Sequence, residues 1–190
     1  MIETDPTNRV LDERPLLSIQ GVGVDNLANA ALASVTVGTG EIALHPEKCE
    51  LEDRQLRCTF LAALGLTDLQ IGNALYMSKD SVKKHLRQGM DALEIAHNRL
   101  TLARYFLDRG PFEVTKRGVD LGMTGIEKEI VDTVSRGSTL EASAQQRDRA
   151  RSTVKTQLAY IAERSGWHTR GKIVLASLVS GEIGEYAPPL

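Results

Sequence analysis

Lys79, Lys83, Lys84 and Arg87 crowd onto one short stretch, SKDSVKKHLRQGM, and are the side chains best placed to do chemistry. Val82, Leu86 and Met90 recur there at helical spacing, so a helix turns them inward and leaves the cations on its outer face. Lysine and arginine in that position can hold phosphate oxygens and guanine edges, and the Ser81 hydroxyl can donate to a phosphate. A second stretch, STVKTQL, offers Ser152, Lys155, Thr156 and Gln157; a glutamine amide can bond an adenine edge. A solvated helix face accounts for the same charges, so their setting must decide. No glycine-rich phosphate loop is present, Gly21-Val-Gly23 being too short, and no nucleophile stands with a paired base. Neither an enzyme nor a cofactor is therefore expected. His45, Cys49 and Cys58 lack the tight ligand pairs of a zinc site, and His85 and His97 fall on helices without a catalytic partner.

The elements that must position these residues are helices. Residues 51–64 carry Leu56, Phe60, Leu61 and Leu64 at a helical period, and Gly65 closes them. Thr67 with Gln70 matches a capping box opening a short helix whose buried stripe is Ile71, Ala74 and Leu75. Met77-Ser78 makes the turn, and Ser78 caps the cationic helix. A fourth helix over 98–107 packs through Leu100, Ala103 and Leu107 and stops at Arg109-Gly110-Pro111. After a linker the layout returns. Thr124 with Glu127 is a second capping box, ahead of Ile126, Ile130, Val131 and Val134; Gly137 closes that helix and Thr139 caps the next. Val154, Leu158 and Ile161 mark a third helix, 169–179 form a fourth, and Trp167 is expected to plug the core between them. Upstream, residues 1–15 read as a loose tail, Asp25 can cap a short helix over 26–34, and Val35-Thr36-Val37 reads as a short strand.

The return is a gapless internal repeat at an offset of 72: Gly65 meets Gly137, Thr67 meets Thr139, Ser81-Val82-Lys83 meets Thr153-Val154-Lys155, and Ile95 meets Trp167. The first copy, through GLTDLQIGNALYMSKDSVKKHLRQGMDAL, resembles the LuxR-type helix-turn-helix family, ungapped from Leu51 to about Leu107. The matching positions are Leu51, Arg54, Gly65-Leu66-Thr67, Ile71, Leu75, Ser78, Ser81-Val82-Lys83, His85-Leu86 and Leu93-Glu94-Ile95. Ser81, Gly72 and Glu94 stand where the family prefers Thr, Ala and Gly. The resemblance implies a third helix that reads DNA and a fourth that dimerises, and it carries Lys83, Lys84, His85 and Arg87 over as DNA contacts. Residues from Met123 to about Leu178 resemble the family too, most closely in STVKTQLAYIAERSGWHTR, which implies Lys155, Thr156 and Gln157 as reading positions. Here Ser138, Ser143 and Arg147 occupy places where the family buries Leu, Ile and Leu, Ala150 replaces the capping Ser, and Ala159 lacks the charge of Arg87. Polar groups buried without partners cost about 1–3 kcal/mol each. The helix over 140–149 is therefore expected to be shifted, exposed, or covered by residues 16–44 or a second chain.

The chain has 190 residues, 42% hydrophobic and 4% aromatic, which suits a globular protein with few rings to stack on single-stranded nucleic acid. Residues 1–50 carry a net charge of −5, 51–109 of +2 and 110–190 of +1, so weakly basic portions follow an acidic lead. No apolar run reaches membrane-spanning length, the start does not read as a secretory signal, and Cys49 and Cys58 suit a reducing cytoplasm. The expected architecture is mainly α: two tandem four-helix helix-turn-helix units at 51–109 and 123–180, joined by a linker at 110–122. A small, irregular, partly ordered acidic segment precedes them at 1–50, too short for a sensor domain of about 100 residues, and a loose tail follows at 181–190. The expected function is a bacterial-type, sequence-specific transcription regulator, cytoplasmic and nucleoid-associated, with double-stranded DNA as partner. It is expected to act as a homodimer or as one chain reading two half-sites. One alternative is a modulator whose divergent second unit binds RNA polymerase or another regulator. Another is a sigma-factor region-four domain, which SVKKHLRQGMDAL also resembles.

Overall fold

The computed structural model describes residues 17–20, 33–167 and 169–184. The chain runs β1 (Leu17–Gln20), β2 (Ala33–Val37), β3 (Gly40–Leu44), α1 (Asp53–Ala63), α2 (Asp68–Leu75), α3 (Lys79–Ala92) and α4 (Leu102–Arg109), then β4 (Phe112–Lys116), α5 (Gly125–Ser135), α6 (Leu140–Gln145), α7 (Arg151–Ser165) and α8 (Arg170–Ser180). It is a mainly α fold with one small antiparallel sheet of order β1-β2-β3-β4. The loose start at 1–15, most of the helix expected over 26–34, and the end of the tail lie outside the described residues; residues 33 and 34 belong to β2.

Local chemistry sets the helix starts. Thr67 and Gln70 form the expected capping box at α2, and Thr124 and Glu127 form the one at α5, each hydroxyl accepting from the backbone three residues on. Ser78, Thr139 and Thr169 cap α3, α6 and α8 by side-chain acceptance. The repeat is carried in the backbone as well. α5, α6 and α7 begin at 125, 140 and 151, each 72 residues after the starts of α1, α2 and α3 at 53, 68 and 79. Left-handed residues recur at the same offset: Gly65 and Gly137 after the first helix of each half, Tyr76 and Asp148 in the following turn, Glu94 and Gly166 after the long helix.

Residues 110–122, read from sequence as a linker, contain strand β4, which pairs antiparallel with β3: Ile42 lies opposite Val114 and Leu44 opposite Phe112. Alternation of Phe112 and Val114 with polar neighbours lets a five-residue strand cover apolar surface on one side. Phe112 meets Phe60 and Phe106 with ring centroids 5.1 Å away, and Phe60 lies 4.8 Å from Phe106. All three phenylalanines of the chain thus tie β4 to α1 and α4. In the sheet β4 packs on α4 while β2 and β3 pack on α8, so among the described residues the N-terminal hairpin covers α8; cover over α6 was one of the alternatives open from sequence.

The halves share one hydrophobic core. Along their seam the Thr169 hydroxyl donates to the Gly65 carbonyl at 2.9 Å, and the Asn98 amide donates to the Gly137 carbonyl at 3.1 Å. Arg104, 2% exposed, donates to Ser135 Oγ at 2.9 Å, to the Gly184 carbonyl at 2.7 Å, and to Asp132. Gly65, at φ +82, approaches so closely that a Cβ there would lie 2.5 Å from the Lys172 backbone nitrogen. Trp167 is 3% exposed, as expected of a core plug.

Candidate nucleic-acid interface

Ser78 fixes the start of α3: its hydroxyl accepts from the Ser81 N–H at 3.2 Å and lies 2.9 Å from the Ser81 hydroxyl. Ser81 is thereby tied to the turn and half-buried. Val82, Leu86, Gly89 and Met90 are buried, which turns the opposite face of the helix outward. Lys79, Lys83, Lys84 and Arg87 are exposed on it. Lys83 makes a 3.4 Å pair with Asp80, itself 92% exposed, an interaction too solvated to hold the lysine in place. No described carboxylate pairs with Lys79, Lys84 or Arg87.

The flanks of α3 differ. Lys83, Lys84 and Arg87 line an open groove of about 900 Å³, whose other side carries His97, Asn98, Arg99 and, from the second half, Gly137 and Thr139. Arg99 is already committed, donating to the Leu66 carbonyl and pairing with Asp68 at 2.6 Å. The opposite flank carries Ser81 and His85 into a pocket of about 440 Å³ with Arg54, Arg57 and Tyr76. His85 is half-buried there, and its Nδ1 has no hydrogen-bond partner among the described residues. Of the positions singled out on this helix, the structure brings together Lys83, Lys84 and Arg87 and sets Ser81 and His85 apart from them.

On α7, Val154, Leu158 and Ile161 are buried, while Ser152, Lys155 and Thr156 are exposed and Gln157 is half-buried. Ala150 has the extended backbone of a cap but supplies no capping bond, a loss legible in the sequence. Some arginines of this half meet carboxylates of the same half. Arg164 pairs with Glu127 at 3.0 Å, Arg151 reaches Glu141 at 3.7 Å, and Arg147 bonds Glu129. The supporting helix α6 is shorter than its mate α2, six residues against eight. Ser143 within it is fully buried with an unbonded hydroxyl, the deficit its polar side chain implied.

Sequence reasoning passed over Arg104 and Glu182. An arginine amid Leu102, Ala103 and Phe106 was the available signal for the first. Burial draws its pKa down while Asp132 opposes this. Glu182 accepts from the Leu121 and Met123 N–H groups at 2.8 and 3.1 Å, tying the end of α8 to the entry of α5; an acidic residue in an apparent tail gave no hint of it. Burial, with Glu50 adding at Cys49, pushes both thiols up to about 11, so neither is primed as a nucleophile. Among the described residues no group of His, Cys, Asp or Glu is placed to hold a metal, and no helix is long and apolar enough to cross a membrane. Comparison with protein-family models, with characterised proteins and with solved structures gave no match.

Proposed function

We propose that the chain is a sequence-specific transcription regulator that binds double-stranded DNA with α3 in the major groove, working at the nucleoid. The observation that carries this reading is the exposed face of Lys79, Lys84 and Arg87, without an ion pair to any described residue, on a capped helix that follows a short helix across a tight turn. Cations left unpaired are available to displace counterions from phosphates, and a helix of this length fits the major groove. α2 braces α3 from behind, since the two pack together and against α1. Lys155 and Thr156 make α7 a weaker second reader. Dimerisation through the fourth helix is not part of this reading, because Leu102, Ala103, Arg104 and Phe106 are buried within the chain's own core. Selection of bound duplexes from a random pool tests it. The protein should enrich one sequence, and Lys84→Ala with Arg87→Ala should weaken binding to it by at least about tenfold. Absence of enrichment, or equal affinity of the variant, overturns the reading.

One observation favours a second role for the divergent half. Arg147 and Arg164 are engaged in ion pairs, and Tyr160 stands 61% exposed on α7 beside the uncharged Ala159. An exposed tyrosine on α7 suits contact with RNA polymerase or another regulator. Tyr160→Ala should then abolish binding to purified RNA polymerase and leave DNA affinity unchanged. Loss of DNA affinity instead would place Tyr160 on the duplex with the rest of α7.

A further inference from the structure

We infer that one chain is by itself a complete two-fold reading head: an internal pseudo-dimer presents α3 and α7 to two inverted, non-identical half-sites, and a single copy fills the site. The inference rests on the DNA reading above.

A two-fold interface betrays itself by reciprocity, each contact returning with the partners exchanged, whereas a head-to-tail interface has no return contact. The turns of the seam show this reciprocity to within one residue, while Arg104, whose mate is Ala176, bonds across it without a return. The turn after α1 is bonded by the start of α8, Thr169 to Gly65; the turn after α5 is bonded by the start of the turn into α4, Asn98 to Gly137. At the offset of 72, Gly137 is the mate of Gly65, and the mate of Asn98 is Arg170, next to Thr169. The close approaches repeat as well: a Cβ on Gly65 would meet Lys172 and Gly171, and one on Gly137 would meet Thr101, whose mate is Ile173. α4 packs on α8, its own mate, as a helix on a two-fold axis must. The sheet then clamps both, β4 against α4 and β2 and β3 against α8. A second copy would find α4 and α8 occupied on the inside.

Duplex DNA has two-fold axes across its own length, so helices related by a two-fold read inverted sequence. The readers here differ. Lys84 is matched by Thr156, His85 by Gln157 and Arg87 by Ala159, so the half-sites must differ too. The half under α3 is gripped by unpaired cations, and the half under α7 has Lys155 as its cation.

The test is the mass of the complex with the selected duplex, measured by sedimentation, together with a footprint. One chain per duplex is expected, with two protected major-groove segments about 10 base pairs apart. Lys155→Ala with Gln157→Ala should relax base preference in one segment only, by on the order of tenfold. Lys84→Ala with Arg87→Ala should act on the other. Two chains per duplex, or a single protected segment indifferent to the α7 variant, overturns the inference while leaving DNA binding by α3 intact. A protein that enriches no duplex overturns the DNA reading and this inference with it.

Discussion

Ser143 is the side chain whose chemistry fits its place least. Its repeat mate Ile71 is fully buried, and Ser143 is as deeply buried with no partner for its hydroxyl among the described residues. Ser143→Ala should therefore stabilise the protein by about 1 kcal/mol, read as a higher urea midpoint at unchanged slope. A lower midpoint would show that the hydroxyl has a partner after all. Glu127 makes the opposite case, a charge held well. Burial alone would raise its pKa, but the Thr124 N–H and the Arg164 guanidinium outweigh burial, and the carboxyl sits below its ordinary value. A folded-state pKa lower than the unfolded one means stabilisation that is present above the unfolded pKa and fades as pH falls through the folded one. Glu127→Gln should thus shrink the stability lost between neutral pH and the acid side of the glutamate range. An acid dependence identical to the parent protein's would contradict this account of the cap.

At the scale of elements, the two halves differ in how firmly their long helices are started. Ser78 caps α3, whereas Ala150, in the same extended conformation, leaves the first N–H groups of α7 without a side-chain acceptor. Ala150→Ser should restore the missing bond and add about 1 kcal/mol, with slower amide exchange in the first turn of α7. A neutral or destabilising substitution would mean that this turn is satisfied some other way. The caps were legible because they are local: a threonine or serine ahead of an apolar period dictates its own hydrogen bonds. The stripes were legible only in part, since Leu102, Ala103 and Phe106 bury α4 where Leu100, Ala103 and Leu107 were expected, and Ile126 of α5 is exposed. The repeat was legible too, since Gly65 and Gly137 must bend the chain alike for the same helices to follow; that Tyr76 and Asp148 do so too shows only in the backbone. Strand β4 was not legible. Its five residues carry only Phe112 and Val114 as an alternating pair, between Gly110-Pro111 and the loop containing Gly118. Its pairing partner lies some 70 residues upstream in β3. The cationic face of α3 was legible from spacing alone. That His85 turns into the pocket beside α1 was not, because residues 84 and 85 differ by one helical step and only packing decides which flank each takes.

For the whole molecule, the consequential finding is that the halves are welded rather than strung together. Residues 110–122 are no free tether, and Arg104, Thr169 and Asn98 bond across the seam. Gly171 also approaches Gly65 closely, and a Cβ on Gly171 would lie 2.8 Å from the Gly65 α-carbon. Gly171→Val should therefore force the seam apart and cost about 1–3 kcal/mol, with unfolding of the two halves losing its coincidence. A variant as stable and as cooperative as the parent would show that the seam is not tightly packed. The seam matters because it fixes where α3 points, and the central claim is that α3 holds DNA. That claim is tested most directly by the salt dependence of affinity for the selected duplex, parent protein against Lys84→Ala with Arg87→Ala. Each cation that neutralises a phosphate contributes about 0.9 to the slope of log affinity against log salt. If both side chains hold phosphates, the double variant binds more weakly and its slope is shallower by about 2. Equal affinity and an equal slope would place the DNA elsewhere, or nowhere, on this molecule.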